Sequence, residues 1–236
     1  MATFLTSGEN NDNTSGTTLD TAATMSVTSG SCIVGWVKWE GTNGATPSIA
    51  KNDATNSFTM VATTDHSNGD LHSAWGYLLT HGMSGATTFR FTLSAARTFR
   101  RIILMEFSYS GTASFDNATT NILVGSVSVT SGNMTVSSNA QVVCGGYGEY
   151  SLDTTSGEQI NGVAADGKVT TGGITTMWRR VISAGFTGAA TANNITSSDH
   201  LVGIISINVA SSITTEYVGP IYGSQRGNIM IGRRYV

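Results

Sequence analysis

The densest set of side chains suited to chemistry is Asp65, His66, Asp70 and His72, with His81 a little further on. Imidazole and carboxylate together suit zinc, and carboxylates alone suit calcium. The stretch Thr64-Asp-His-Ser-Asn-Gly-Asp70 is also what a polar hairpin loop is made of. It has neither the ligand spacing of an EF-hand nor the paired histidines of a metalloprotease helix. The expectation is a loop without a metal, and Asp199-His200 reads as a turn on the same grounds.

Glu149, Asp153 and Glu158 raise a second possibility, because a glycosidase needs two carboxylates about 5–9 Å apart. Alternate residues of a strand share a face. Glu149 and Asp153 straddle Tyr150 and Leu152, with no acid at the intermediate alternate position. A nucleophile elbow, a P-loop and a dinucleotide fingerprint are all absent. The sequence therefore reads as a non-enzyme, with no catalytic residues and no cofactor.

Two arginine groups remain: Arg97, Arg100 and Arg101 around an expected turn between strands, and Arg179-Arg180 within Met177-Trp-Arg-Arg-Val-Ile182. Adjacent strand residues point to opposite faces, so Arg100 and Arg101 do not readily form one anion patch. Cross-strand pairing with acids is the expected fate. Trp75, Tyr77, Tyr147 and Tyr150 would matter to a glycan-binding protein if exposed, whereas Trp36 and Trp39 read as core.

The elements that must hold these residues follow from composition. Only 11% of the 236 residues are charged, against about 25% in ordinary soluble domains. The polar surface is therefore built from Thr, Ser, Asn and Gly, which are strand and turn residues. A net charge of -3 without a basic stripe argues against nucleic acid. No apolar run approaches the roughly 20 residues of a membrane helix, and Met1–Asn10 lacks the basic and apolar segments of a secretory signal. Low charge mildly favours association.

Along the chain, Ile33, Val37 and Trp39 lie on one side of a strand and Val34 and Trp36 on the other, so that strand is central. Phe89, Phe91 and Leu93 alternate with Arg90 and Thr92. Ile103, Met105, Phe107 and Tyr109 form a core face with Glu106 and Ser108 pointing away. Leu201, Ile205, Ile207 and Val209 repeat the pattern against Ser206 and Asn208. Turn pairs such as Asn161-Gly162 recur between these segments. Cys32 and Cys144 sit in apolar runs and read as small buried hydrophobes. Ser-Val-Thr-Ser-Gly occurs at 26–30 and at 128–132, each time before an apolar strand with a cysteine, which raises a repeat of two sheet halves.

The reading is all-β: a single antiparallel β-sandwich over 17–210, with an N-terminal arm at 1–16 and a C-terminal arm or edge strand at 211–236. Phe4 and Leu5 in the first arm, and Arg226, Arg233, Arg234 and Tyr235 in the second, are the candidate partner-binding residues.

Met25-Ser-Val-Thr-Ser-Gly-Ser-Cys-Ile-Val-Gly-Trp-Val-Lys-Trp39 and Phe99-Arg-Arg-Ile-Ile-Leu-Met-Glu-Phe-Ser-Tyr-Ser-Gly111 resemble the jelly-roll-like modules of tailed-bacteriophage virion proteins, namely capsid decoration (cement) proteins and fibres. The resemblance implies a jelly-roll-like fold and a structural protein on the capsid exterior, a trimer, whose partner is the major capsid protein. A glycan-binding receptor or adhesin module is the alternative.

Overall fold

The computed structural model describes residues 1–41, 45–65, 70–150 and 155–210. Among them are eighteen strands and no helix. The first nine are β1 (Thr3–Asp12), β2 (Gly16–Asp20), β3 (Met25–Val27), β4 (Cys32–Glu40), β5 (Pro47–Lys51), β6 (Thr59–Asp65), β7 (Leu71–Leu78), β8 (Gly85–Thr87) and β9 (Phe89–Ser108). The second nine are β10 (Thr112–Thr130), β11 (Met134–Val136), β12 (Ala140–Glu149), β13 (Ser156–Ile160), β14 (Val163–Ala164), β15 (Gly167–Thr171), β16 (Thr175–Val181), β17 (Phe186–Gly188) and β18 (Ala190–Ala210).

The two sets build the same object twice. One sheet runs β1-β9-β4-β7-β6 with β2 and β5 flanking the start of β9; the other runs β10-β18-β12-β16-β15 with β13 flanking the start of β18. Each half also has a two-stranded ribbon, β3–β8 or β11–β17. The bent strand β10 covers both parts of β18, the role that β1 and β2 divide between them on β9. The repeat is thus present, but in another register than Ser26–Gly30 and Ser128–Gly132 suggest. Met25-Ser-Val27 corresponds to Met134-Thr-Val136, both in ribbons, whereas 128–130 ends β10.

Three apolar cores explain the layering. The first lies inside the first half, where Leu19, Ile49, Phe89 and Phe91 face Ile33, Val37, Trp39 and Leu104. The third is its counterpart, with Ile160, Ala190 and Ala192 facing Val143, Tyr147, Trp178 and Ile204. The second joins the halves face to face: Val34, Trp36, Trp75, Ile103, Met105 and Phe107 meet Val142, Cys144, Met177, Ile205 and Ile207. Contacts across this plane are reciprocal. β1 approaches β15 as β10 approaches β6, β18 approaches β7 as β9 approaches β16, and β4 crosses β12. This is the self-complementary pattern of a twofold dimer, contained in one chain.

The expected all-β antiparallel sandwich is therefore present, and β4 is apolar on both sides because it lies between two cores. Residues 1–16, read as an arm, instead supply β1, which pairs along β9 from Thr3–Ser108 to Asp12–Arg100. Its polar residues suit an edge strand, where one side of the backbone is paired and alternate side chains stay solvated. Residues 211–236 lie outside the described residues, as do Arg226, Arg233, Arg234 and Tyr235. Irregularities interrupt the edge strands: β1 between Phe4 and Thr6, β10 between Phe115 and Asn117, and β6 between Val61 and Thr64, with Ala62 at φ 48°. Bulges of this kind twist an edge away from unwanted pairing.

Candidate functional site

The residues singled out for metal chemistry are dispersed or already engaged. His72 is buried beneath the strand end of β7, with Nδ1 2.5 Å from Asp65 Oδ1, Nε2 2.7 Å from the Gly41 carbonyl, and its ring stacked on Trp39. His81 belongs to a different cluster at the far end of β7. His66 lies outside the described residues, and no group of three His, Cys, Asp or Glu among those described could hold a metal.

The carboxylates behave similarly. Glu149, fully buried at the end of β12, accepts a hydrogen bond from Ser198 Oγ at 2.5 Å. Glu158 on β13 accepts from Thr155 Oγ1 at 2.8 Å and pairs with Lys168 at 2.7 Å. Asp153 lies outside the described residues. His200 is not in a turn: it sits in β18 opposite Leu123 and Glu149, fully buried, with Nδ1 3.0 Å from the Ser198 carbonyl. Burial lowers its pKa, while the backbone of Ser198 and Ser128 and the charges of Glu149 and Asp199 oppose that shift.

Arg97, Arg100 and Arg101 are not beside a turn, because β9 continues through them with a bend at which Phe99 adopts φ 47°. Arg100 and Arg101 leave opposite faces of the strand yet curl to the same connection between β1 and β2. Arg100 pairs with Asp12 at 2.5 Å and Arg101 donates to Asn13 Oδ1 at 2.7 Å. Arg179 covers the Phe4 ring at 3.6 Å, and Phe4 also meets Phe107 edge-on. Phe4 is thereby part of the fold's own packing against the central core, while Leu5 remains exposed. Trp75 and Tyr147 are fully buried and Tyr77 stacks on Phe115 at 5.0 Å, leaving Tyr150 as the exposed member of that aromatic set.

Two polar clusters escape sequence reading. Lys38 is fully buried against Gly148 of the crossing strand β12, with its ammonium on Glu40. Desolvation pulls its pKa down to about 8 against the opposing pull of Glu40. The second cluster is Ser31, His81 and Glu106, all buried: Ser31 Oγ lies 2.5 Å from Glu106 Oε1 and 3.0 Å from His81 Nε2. The residue types match a hydrolase triad, but a triad places histidine between the nucleophile and the acid. Here serine is central, and its hydroxyl is committed to the carboxylate. The signals were a lysine between two tryptophans and a glutamate inside Ile102-Ile-Leu-Met-Glu-Phe107, both ionisable groups within apolar strands.

The outer faces carry two shallow depressions on corresponding parts of the halves. One, about 280 Å³, is lined by Ser48, Ala50, Arg90 and Thr92; the other, about 260 Å³, by Ser128, Thr130, Gln159, Thr191 and Asn193. Lys51 also lines the first; it pairs with Asp53 at 2.7 Å, and Arg90 is held by a two-point pair with Asp20 at 2.6 and 2.8 Å, so both cations there are matched by carboxylates.

Both cysteines are free and buried. Burial pushes the Cys32 thiol up to about 12 and raises that of Cys144 as well. Since the thiolate is the reactive form, neither is expected to react with iodoacetamide at about pH 8 in the native protein. Both should react in guanidinium. Labelling of the native chain, read by mass spectrometry, would mean that the central core opens.

No family model matches the chain, and no curated protein does. Among solved structures, the crystal structure of PBSX exported protein XepA is similar over 88% of this chain and 86% of that one, at 14% identity and a TM-score of 0.23. A likeness at that score bears on neither fold nor function.

Proposed function

We propose that the chain is a structural protein of a bacteriophage virion, a capsid decoration protein that binds and stabilises the shell of the major capsid protein. The observation that carries this reading is the pair of corresponding outer faces on a twofold-like body, both rich in hydroxyl and amide groups and with the cations of the first, Lys51 and Arg90, paired to Asp53 and Asp20. Such faces suit many weak hydrogen bonds to a repeating protein surface, where multiplicity supplies avidity. The short motifs at 25–39 and 99–111 favour the same class. The ionisable clusters described above are buried in packing, and no step of a reaction is assigned to them. The glycan-binding alternative loses Trp75 and Tyr147 as platforms, because both are fully buried.

The test is binding of the purified chain to capsid shells that lack it, alongside a version ending at Ala210. Saturable binding by the full chain is expected, and weaker binding after truncation would assign the clamp to 211–236. Absence of binding by the full chain would overturn the reading and leave a glycan array as the next experiment.

A further inference from the structure

The Ser31, His81 and Glu106 line ties three separate segments together. Glu106 on β9 accepts from Ser31 Oγ and from the Thr28 amide at 2.7 Å; the Gly30 amide donates to the His81 carbonyl at 2.8 Å. These bonds hold the turn after β3 and the segment before β8 against the first sheet. The β3–β8 ribbon in turn covers the first core, into which Met25, Val27 and Met83 are packed.

The second half solves the same problem without a histidine. The Ser137 amide, corresponding to that of Thr28, donates to Asp116 Oδ2 at 3.0 Å, and Ser206, in the place of Glu106, donates to the same oxygen at 2.7 Å. Only the first ribbon is therefore fastened through an imidazole.

The hydrogen positions follow from the network. If Ser31 gives its proton to the carboxylate, His81 Nε2 must carry the hydrogen that Ser31 accepts, and the neutral ring leaves Nδ1 bare. His81 Nδ1 and Glu106 Oε2 are both buried without a hydrogen-bond partner. Protonation would put a positive charge and a second N–H into this buried site; the Met83 backbone and the Glu106 charge favour the protonated ring, but burial outweighs them. The other ionisable group beside Glu106 is the Cys32 thiol on β4, neutral at ordinary pH. Thr6 on β1 and Ile33 on β4, which stand opposite Glu106, do not titrate, and Tyr109 is bonded to Thr80 and Leu79.

We propose that this line is a proton-operated latch: protonation of His81 releases the β3–β8 ribbon and uncovers the apolar face formed by Met25, Val27 and Met83, while the β11–β17 ribbon stays closed. Burial lowers the His81 pKa, opposed by the charge of Glu106 and the Met83 backbone. A base whose closed-state pKa is depressed favours the open state progressively as pH falls below its free value of about 6.5, until the closed-state value is passed.

Hydrogen exchange of the full chain, corrected for intrinsic rates, reads this directly. Protection of Thr28, Gly30 and Ser31 is expected to fall by up to about tenfold per pH unit below about pH 6.5, with Met134–Ser137 unchanged. His81→Gln, which keeps an N–H donor for Ser31, should abolish that dependence. Equal pH responses in both ribbons, or a response that persists in His81→Gln, would overturn the latch. If the variant does not fold, an NMR titration of His81 in the wild-type chain decides: a pKa at or above the ordinary histidine value would overturn it too.

Discussion

Trp36→Ala is expected to remove about 3–5 kcal/mol of folding stability, the range for deleting a large buried aromatic. Trp36 stands at the centre of the core that joins the halves. Its ring packs against Trp75 at 4.5 Å, and its indole N–H donates to the Tyr147 carbonyl of the opposing sheet at 3.2 Å. Gly146 and Gly203 of the second half lie against the same ring; a Cβ at Gly146 would come within 2.6 Å of it. Truncation leaves a cavity between two backbones that are each fixed by sheet pairing on both sides, so collapse cannot refill it. Urea denaturation measures the loss. A cost below about 1 kcal/mol, outside the range for such deletions, would mean that the halves do not share a core. Trp39→Ala, inside the first half, supplies a comparison of similar volume that leaves the joint intact.

Gly203→Val should be as damaging for the opposite reason. A Cβ at Gly203 would lie 2.8 Å from Trp36 Cζ3, closer still to Trp75 Nε1, and 3.1 Å from Thr120 Cγ2. Both indoles are fully buried and cannot swing aside. Overpacking typically costs 1–3 kcal/mol, and a β-branched residue in this slot belongs at or above the upper end. The expected result is a large drop in melting temperature with loss of the near-ultraviolet tryptophan signal. Gly82→Ala is the control, since nothing lies within 4 Å of a Cβ there. Near-normal stability in Gly203→Val would show that the two sheets are further apart than described. The two variants together test one claim: that the bulk of the first half is matched by glycines of the second.

Much of the strand pattern is readable locally. Phe89, Phe91 and Leu93 alternate with polar neighbours because one side of that strand meets a core and the other meets water. The run Ile33–Trp39 is apolar on both sides because it lies between two cores. Asn161-Gly162 turns between β13 and β14 with both residues at positive φ, as a tight hairpin demands.

Other features depend on partners remote in sequence. Glu106 alternates with apolar residues as an outward-facing acid would, yet it is buried under the turn after β3, where Thr28 and Ser31 donate to it. Lys38 and His200 are hidden in the same way. The polar start of the chain reads as an arm because it offers only Phe4 and Leu5 for burial, and it becomes a strand because β9 offers it a free edge.

By itself, then, the sequence determined the class of structure: short amphipathic strands, frequent turns, buried thiols and few charges admit an antiparallel sandwich. The tertiary structure decided that the sandwich is built twice and joined through Trp36, and that a histidine fastens only one half. Side-chain alternation reports which face of a strand is apolar, a local property. Whether the other face meets water or another layer depends on pairings between distant segments, and local pattern does not encode them.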